Sequence, residues 1–200
     1  MSNKKFSTQK IRKMTVTAIL AAVATVLMFF SFNVPLMPSF IKLDFSELPA
    51  LIAAFALGPV SGVMVCLVKN LVNLFFTTTA GVGELSNFIL GCVFVLPAGL
   101  IYKYKKTRLG AFIDSFVGAI TMAVFSIFSN YYVVYPVYTN FMPMEAIIKA
   151  YSIFLPSVTN LWQALIIFNM PFTFIKGMLS VIITFFIYKH ISPIIKGKNV

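Results

Sequence analysis

Charged side chains are scarce in this chain of 200 residues: they make up 10% of it, and only five are acidic. A soluble domain carries roughly 25% charged residues, which cover its water-facing surface. Here 60% of the residues are hydrophobic, and phenylalanine alone occurs 22 times. The shortage of charge excludes a soluble globular domain, and the composition predicts a single integral membrane domain over residues 1–200.

Cysteine and histidine are nearly absent as well. Cys66 and Cys92 both lie in apolar runs, where a thiol behaves as a small hydrophobic side chain, so neither a disulfide nor a metal site is predicted. The single histidine, His190, follows the last apolar run and is interpreted as an interfacial residue. Motifs of hydrolases, zinc proteases and nucleotide-hydrolysing P-loops do not occur. The chain is therefore predicted not to be an enzyme.

Positive charge is abundant, with a formal net charge of +11, but it is unevenly distributed. Most of the 16 basic residues form three patches that each adjoin an apolar run. The patches are Lys4, Lys5, Lys10, Arg12 and Lys13; Lys103, Lys105, Lys106 and Arg108; and Lys189, Lys196 and Lys198. Basic loops beside membrane helices are typical of the cytoplasmic side, which explains the charge better than a nucleic-acid partner does.

The apolar runs predict six membrane helices. The first covers about 14–33 and lacks a small-x-small cleavage site, so it is predicted to remain in the membrane. The run over 48–77 would be about 45 Å long as one helix, well beyond a ~30 Å hydrocarbon core, and Pro59 with its neighbouring glycines predicts a break. With that break, the three basic patches share one side and both termini are cytoplasmic.

The second predicted helix is short, because it begins near Ser46, interpreted as its N-cap, and ends near Leu57. Such a segment cannot face lipid across the whole membrane, so other helices must cover it, and this predicts a cavity on the outer side. The last three helices are predicted over about 83–102, 109–132 and 170–190. Asn169 is interpreted as the N-cap of the final helix.

Lys176 lies in the middle of the apolar segment "PFTFIKGMLS". An unpaired ammonium group is costly in lipid, so Lys176 either pairs with a nearby acid, reaches toward the membrane surface or contacts a ligand. The acids predicted on the same outer side are Asp44, Glu47 and Glu84. Ligand contact is the favoured hypothesis. Thr173 lies one turn away on the same helical face.

Other polar residues of the predicted outer half support a ligand site. Asn87, Asn130 and Asn169 contribute amides, and Gly83 lets backbone approach a ligand closely. The connection over 131–162 holds five of the eight tyrosines and the only tryptophan, which fits an aromatic belt and also a lid of rings over a pocket. Amides, a hydroxyl, one cation and many rings together predict a flat, uncharged heteroaromatic ligand.

Three further polar residues receive structural interpretations. Asn70 and Asn73 are expected to form hydrogen bonds between helices. Glu84 is interpreted as a first-turn residue that the helix dipole favours.

Five stretches together resemble one known family. They are the AxxxA pattern of Ala18 and Ala22, "KLDFSELPALIAAFALGP" at 42–59, "GVGELSNF" at 81–88, "NYYVVYPVY" at 130–138 and "PFTFIKG" at 171–177. In this order and spacing, the chain resembles the substrate-binding S component of energy-coupling factor (ECF) vitamin transporters, of the riboflavin-binding type.

The resemblance implies a multi-pass protein of the bacterial cell membrane that captures riboflavin from outside. It implies partners, namely a transmembrane coupling subunit and two cytoplasmic ATPases that drive release inward, and no cofactor besides the transported ligand. It further assigns the coupling-subunit contact to Ala18 and Ala22.

The same resemblance implies a set of ligand contacts. Asn130 and Lys176 match residues that contact the flavin ring, and the loop after the first helix, with Phe40, Leu43 and Asp44, covers the ligand. Thr173 stands where the family has an asparagine. Two alternatives stay open: an S component for another ring compound, such as thiamine or a pyridoxine-like vitamin, and an intramembrane enzyme or scaffold without a transport role.

Overall fold

The computed structural model describes residues 2–77, 79–104 and 108–196. It is a bundle of α-helices with a short antiparallel strand pair. The elements are α1 (Ser2–Phe29), β1 (Phe32–Asn33), β2 (Lys42–Leu43), α2 (Glu47–Leu57), α3 (Pro59–Asn73), α4 (Val82–Tyr104), α5 (Arg108–Ser129), α6 (Tyr135–Tyr138), α7 (Met144–Ser152), α8 (Leu161–Ala164) and α9 (Met170–Lys196). A 3₁₀ turn (Leu74–Phe76) follows α3, and π-helical turns (Asn130–Val134 and Leu165–Asn169) join α5 to α6 and α8 to α9.

Five helical segments among the described residues are long and apolar enough to cross a membrane. They are Thr8–Phe29, Pro59–Phe76, Val82–Tyr104, Gly110–Tyr138 and Leu161–Tyr188. The apolar helix α2 adds a shorter segment of 11 residues, about 16 Å long. The predicted helical membrane bundle is confirmed, and the chain is a multi-pass membrane protein. The β1–β2 pair is an addition that the apolar pattern did not indicate.

Helix α2 lies inside the bundle, as its apolar composition requires. Residues 50–54 are almost inaccessible to solvent, and the helix packs against α1, α3, α4 and α9. It ends at Gly58, whose φ of 107° favours glycine, and Pro59 begins α3 directly afterwards. A Cβ atom at Gly62 would lie 2.9 Å from the backbone oxygen of Ala50, so glycine lets α3 return closely along α2. The predicted break at Pro59 is confirmed.

Aromatic rings join three helices at one end of the bundle. Between ring centroids, Phe55 of α2 lies 4.6 Å from Tyr102 of α4 and 5.8 Å from Tyr188 of α9. Lys13 of α1 reaches the same end beside Gly58. The helix ends that carry basic residues therefore meet here. Several members of the predicted patches lie outside the described residues or side chains, namely Lys4, Lys5, Lys105, Lys106, Arg108, Lys189, Lys196 and Lys198.

The last two membrane helices are longer than predicted. The helix that starts with α5 continues through a π-helical turn into α6 and ends at Tyr138, not near residue 132. The final membrane segment begins with α8 at Leu161, where the Asn160 side chain accepts a hydrogen bond from the Gln163 N–H at 3.0 Å, and it continues through the π-helical turn into α9. The α-helix α9 begins at Met170, as predicted, but Asn169 ends a π-helical turn and does not cap a helix, so the predicted cap is wrong.

Each of these two membrane segments contains a proline just after its π-helical turn. Proline has no N–H to donate, so it usually lies in the first turn of an α-helix or outside the helix. Pro136 and Pro171 each occupy the second residue of an α-helical segment that follows a π-helical turn. The shifted hydrogen-bond register restarts the α-helix there, so the missing N–H is tolerated as it is in a first turn.

The long connection between α5 and α9 folds into an outer layer. Buried Ile147 and Tyr151 of α7 pack with Leu161 and Leu165. Tyrosines of both predicted kinds occur in this region: Tyr132 is 66% exposed, as in an aromatic belt, whereas Tyr135 and Tyr138 line a cavity.

Candidate functional site

A cavity of about 670 Å³ lies in the half of the bundle opposite the Phe55–Tyr102–Tyr188 cluster. Its walls come from the loop before α2, from the facing ends of α1, α2, α3 and α4, and from the segments around both π-helical turns. The volume falls within the usual range for small-molecule sites, roughly 300–1,000 Å³. A cavity beside the short second helix was predicted, and the structure contains one.

Four buried charges form one network beside this cavity, and we call Lys69, Glu47, Lys176 and Asp44 the charge quartet. All of them except Lys69 line the cavity. The Lys69 Nζ atom lies 2.9 Å from Glu47 Oε1. The Lys176 Nζ atom lies 2.9 Å from Asp44 Oδ2 and 3.3 Å from Glu47 Oε2. Two ammonium groups and two carboxylates alternate, so the network carries no net charge. Its members come from α2, α3, α9 and the loop before α2, and they therefore tie these elements together.

Ser46 connects the two halves of the quartet. Its backbone N–H donates to Asp44 Oδ1 at 2.9 Å, its hydroxyl also donates to Asp44, and Lys69 donates to the hydroxyl oxygen at 2.5 Å. Ser46 occupies the N-cap position of α2, as predicted, but its side chain bonds to the quartet and makes no capping hydrogen bond to the helix. Burial alone raises the pKa of the Asp44 carboxyl group, but the ammonium groups of Lys176 and Lys69 and the Ser46 hydroxyl hold that pKa well below its ordinary value.

The carboxylates of the quartet are the ion-pair partners of the Lys176 ammonium group. The ammonium group pairs with acids, which was the alternative not favoured, and it also donates to Asn87 Oδ1 at 3.2 Å. Lys176 and Asn87 both line the cavity. The lysine is therefore not an isolated cation, and contact with a ligand remains a prediction.

Each π-helical turn places an asparagine in the cavity wall. Asn130 begins the first turn and Asn169 ends the second. Asn169 accepts from the Tyr151 hydroxyl at 2.6 Å and donates to Tyr135 at 3.3 Å, while Asn130 accepts from Ser86 at 3.4 Å. π-Helical turns occur often at functional sites, because the extra residue redirects side chains. Both amides are buried and held by neighbours.

A second carboxylate region lies where α3 approaches α4. Glu84 Oε1 accepts from Asn73 at 2.8 Å, and Oε2 accepts from Thr77 at 2.8 Å and from Thr79 at 3.3 Å. Glu84 is thus a buried hydrogen-bond acceptor, and the dipole interpretation leaves out these side-chain partners. The predicted interhelical bond of Asn73 is confirmed, whereas Asn70 donates to the Cys66 carbonyl within its own helix.

Most of the predicted ligand residues meet at this cavity. Its wall includes Phe40, Asp44, Gly83, Asn87, Asn130, Thr173 and Lys176. Leu43 is buried but is not among the lining residues. Leu43 belongs to β2, and its neighbours Lys42 and Asp44 both line the cavity. Because successive residues of a strand face opposite sides, the Leu43 side chain faces away from the cavity.

The predicted docking alanines lie elsewhere. Ala18 and Ala22 are exposed on α1, whereas Ala21 and Ala24 of the same helix are buried in the core. The small residues of α1 therefore form two faces, one packed and one open.

No role was predicted for Lys69 from the sequence, and Glu47 was considered only as a possible partner of Lys176. A signal was available, because a lysine in the apolar run "VKNLVNL" needs a buried carboxylate as much as Lys176 does. Tyr135 was likewise counted only as one ring among several. Tyr135 lines the cavity, and its hydroxyl group forms hydrogen bonds with Tyr151 and Asn169.

Comparisons with known proteins agree with this architecture. The family model described as "ECF transporter, substrate-specific component" matches residues 12–188. The riboflavin transporter RibU of Staphylococcus aureus (strain TCH60) is 32% identical over 96% of this chain and 97% of its own length. The riboflavin transporter FmnP of Bacillus subtilis (strain 168) is 30% identical over 95% of this chain and 97% of its own.

A solved structure is similar as well. The S component of a bacterial ECF transporter aligns with a TM-score of 0.74 at 31% identity, over 94% of this chain and 99% of that one. The fold, the nearly full-length family match and the relatives agree on a transporter component rather than an enzyme. The chain belongs to the family of substrate-specific components of ECF transporters.

Proposed function

We propose that this protein binds riboflavin on the outer side of the membrane and delivers it inward as the S component of an ECF transporter. The observation that carries the proposal is the cavity, which combines buried amides, one buried ammonium group and aromatic rings in about 670 Å³. A flat flavin ring can stack on the rings, and its edge carries carbonyl groups and ring nitrogens that amides and an ammonium group bind. Relatives along nearly the whole chain are riboflavin transporters.

Three residues are assigned as hydrogen-bond partners of the flavin ring. Lys176 lines the cavity while Asp44 and Asn87 hold its ammonium group, so it needs no large movement to donate to a ligand carbonyl. Asn130 supplies an amide from the π-helical turn after α5. Thr173 lies on the same helix one turn before Lys176 and offers a hydroxyl.

The topology of the proposal has six membrane helices, counting α2, and cytoplasmic termini. The Phe55–Tyr102–Tyr188 cluster supports it, because it places the C-terminal parts of α4 and α9 beside Lys13 of α1. Basic residues at that end favour the cytoplasm. The cavity then faces outward, and a coupling subunit with two ATPases would act from the basic side.

Riboflavin binding is tested with the purified protein in detergent. We expect saturable, one-to-one quenching of riboflavin fluorescence with sub-micromolar affinity, because the ring becomes stacked among aromatic side chains. Thiamine and pyridoxine in large excess are the controls and should not displace riboflavin. Absence of quenching would contradict the proposal, and stabilisation by thiamine or pyridoxine alone in a thermal-shift assay would favour the corresponding vitamin.

Docking of the coupling subunit is tested by Ala18→Leu/Ala22→Leu. Both alanines are exposed on α1, so larger side chains should keep a partner helix at a distance while leaving the packed face intact. We expect the tagged variant to lose most of the coupling subunit and ATPases on co-purification and to bind riboflavin as before. Ala146→Leu, at an exposed alanine of α7, is the matched control. An undiminished complex would contradict this assignment.

A further inference from the structure

Glu84 is a buried carboxylate in the cavity wall whose partners are all uncharged. It is 7% exposed, and Asn73, Thr77 and Thr79 donate to it. Within the described part of the chain, the salt bridges join only members of the charge quartet. The negative charge of Glu84 is thus dispersed by neutral donors but not cancelled by an ion pair.

The remaining charges around the cavity do not offset it. The quartet is internally neutral, since Lys69 and Lys176 match Glu47 and Asp44. Lys42, the other lining cation, is exposed to solvent in β2, where water screens its charge. The buried wall therefore presents one net negative charge to whatever binds. A like charge brought into such a partly desolvated space is strongly disfavoured.

Glu84 also keeps room for one more hydrogen bond. A carboxylate has about four acceptor sites, two on each oxygen. Oε2 already accepts from Thr77 and Thr79, whereas Oε1 accepts from Asn73 alone. A donor from a ligand, such as a hydroxyl group, can occupy the fourth site on Oε1.

We propose that Glu84 determines specificity by accepting a hydrogen bond from a hydroxyl group of the flavin side chain and by repelling flavins that carry a phosphate ester. This inference rests on the proposed function, because it presupposes that the cavity binds a flavin. Riboflavin carries a neutral polyhydroxyl chain. Flavin mononucleotide (FMN) carries the same chain with a terminal phosphate, which is anionic at neutral pH.

The test compares riboflavin and FMN in fluorescence-quenching titrations of the purified full-length protein. We expect the wild type to prefer riboflavin, and Glu84→Gln to reduce the ratio of the two affinities by about tenfold, because glutamine accepts a hydrogen bond without repelling phosphate. Riboflavin affinity itself should change by only a few-fold. Glu145→Gln removes an acid of the same type at an exposed position of α7 and should leave the ratio unchanged.

A second variant adds charge instead of removing it, in case Glu84→Gln fails to fold. Phe76 lines the cavity, is 64% exposed and directly precedes Thr77, which donates to Glu84, so Phe76→Lys adds a cation to the segment that holds the carboxylate. It should improve FMN binding relative to riboflavin. An unchanged ratio in the folded variants, or a wild type that binds both flavins equally, would overturn the inference. A wild type that binds neither flavin would instead overturn the proposed function.

Discussion

Replacing Lys69 by methionine is expected to lower the free energy of unfolding by about 3–5 kcal/mol, the usual cost of removing one partner from a buried ion pair. The lysine is fully buried, and its ammonium group contacts Glu47 and Ser46. Methionine fills a similar volume, so the lost charge dominates the effect. Glu47 then keeps only Lys176, at 3.3 Å, as a cationic neighbour. Unfolding by SDS in mixed micelles, followed by circular dichroism, measures the change.

Two further variants distinguish the effect of the buried charge on the free energy of unfolding from the effect of replacing lysine by methionine. Lys69→Met/Glu47→Gln removes both partners and should recover most of the stability, since no uncompensated charge stays buried. Lys149→Met makes the same substitution at an exposed position of α7 and should shift the free energy by less than about 0.5 kcal/mol. If Lys69→Met cost no more than Lys149→Met, the quartet would not stabilise the bundle.

Riboflavin affinity is expected to fall by about 10- to 100-fold when Lys176 is replaced by methionine, the range for losing a hydrogen bond from a charged donor. The single substitution also leaves Asp44 without its nearest cation, so part of its effect would come from altered folding. Lys176→Met/Asp44→Asn removes that imbalance. We expect the double variant to unfold near the wild-type midpoint and still bind riboflavin weakly.

Fluorescence quenching and thermal unfolding, measured on the same samples, distinguish these effects. Lys149→Met again serves as the control, because it removes an exposed lysine that is not among the lining residues of the cavity. A folded double variant with wild-type affinity would remove Lys176 from the binding site. The cavity would then need another donor for the ring carbonyl groups, and Asn130 would be the next residue to replace.

The break between α2 and α3 and the positions of the membrane helices could be predicted from short stretches of sequence. The break between α2 and α3 follows from Gly58 and Pro59, whose backbone preferences act within a few residues. Composition and length gave the membrane helices in the same way. The last membrane segment was predicted too short at its N-terminal end, because Asn160 and Asn169 carry similar cap signals and packing of the outer layer decides between them.

The pairing within the site could not be predicted from the chain alone. Lys176 and Asp44 are 132 positions apart, and nothing in their neighbouring residues specifies that they meet. Lys176, Asn130 and Thr173 were still expected in one site, because polar groups in apolar helices need a shared environment. The location of Glu84 in the same wall needed the structure, since a first-turn acid has a sufficient local explanation.

The neutrality of the charge quartet has an electrical consequence. Moving one elementary charge across a membrane potential of 100 mV involves about 2.3 kcal/mol, so unbalanced buried charges would make a moving element respond to voltage. Lys69, Glu47, Lys176 and Asp44 sum to zero and are bonded to one another. A displacement of α2 together with these partners would transfer no net charge through the field. Its energy would then be the same in a polarised and a depolarised cell.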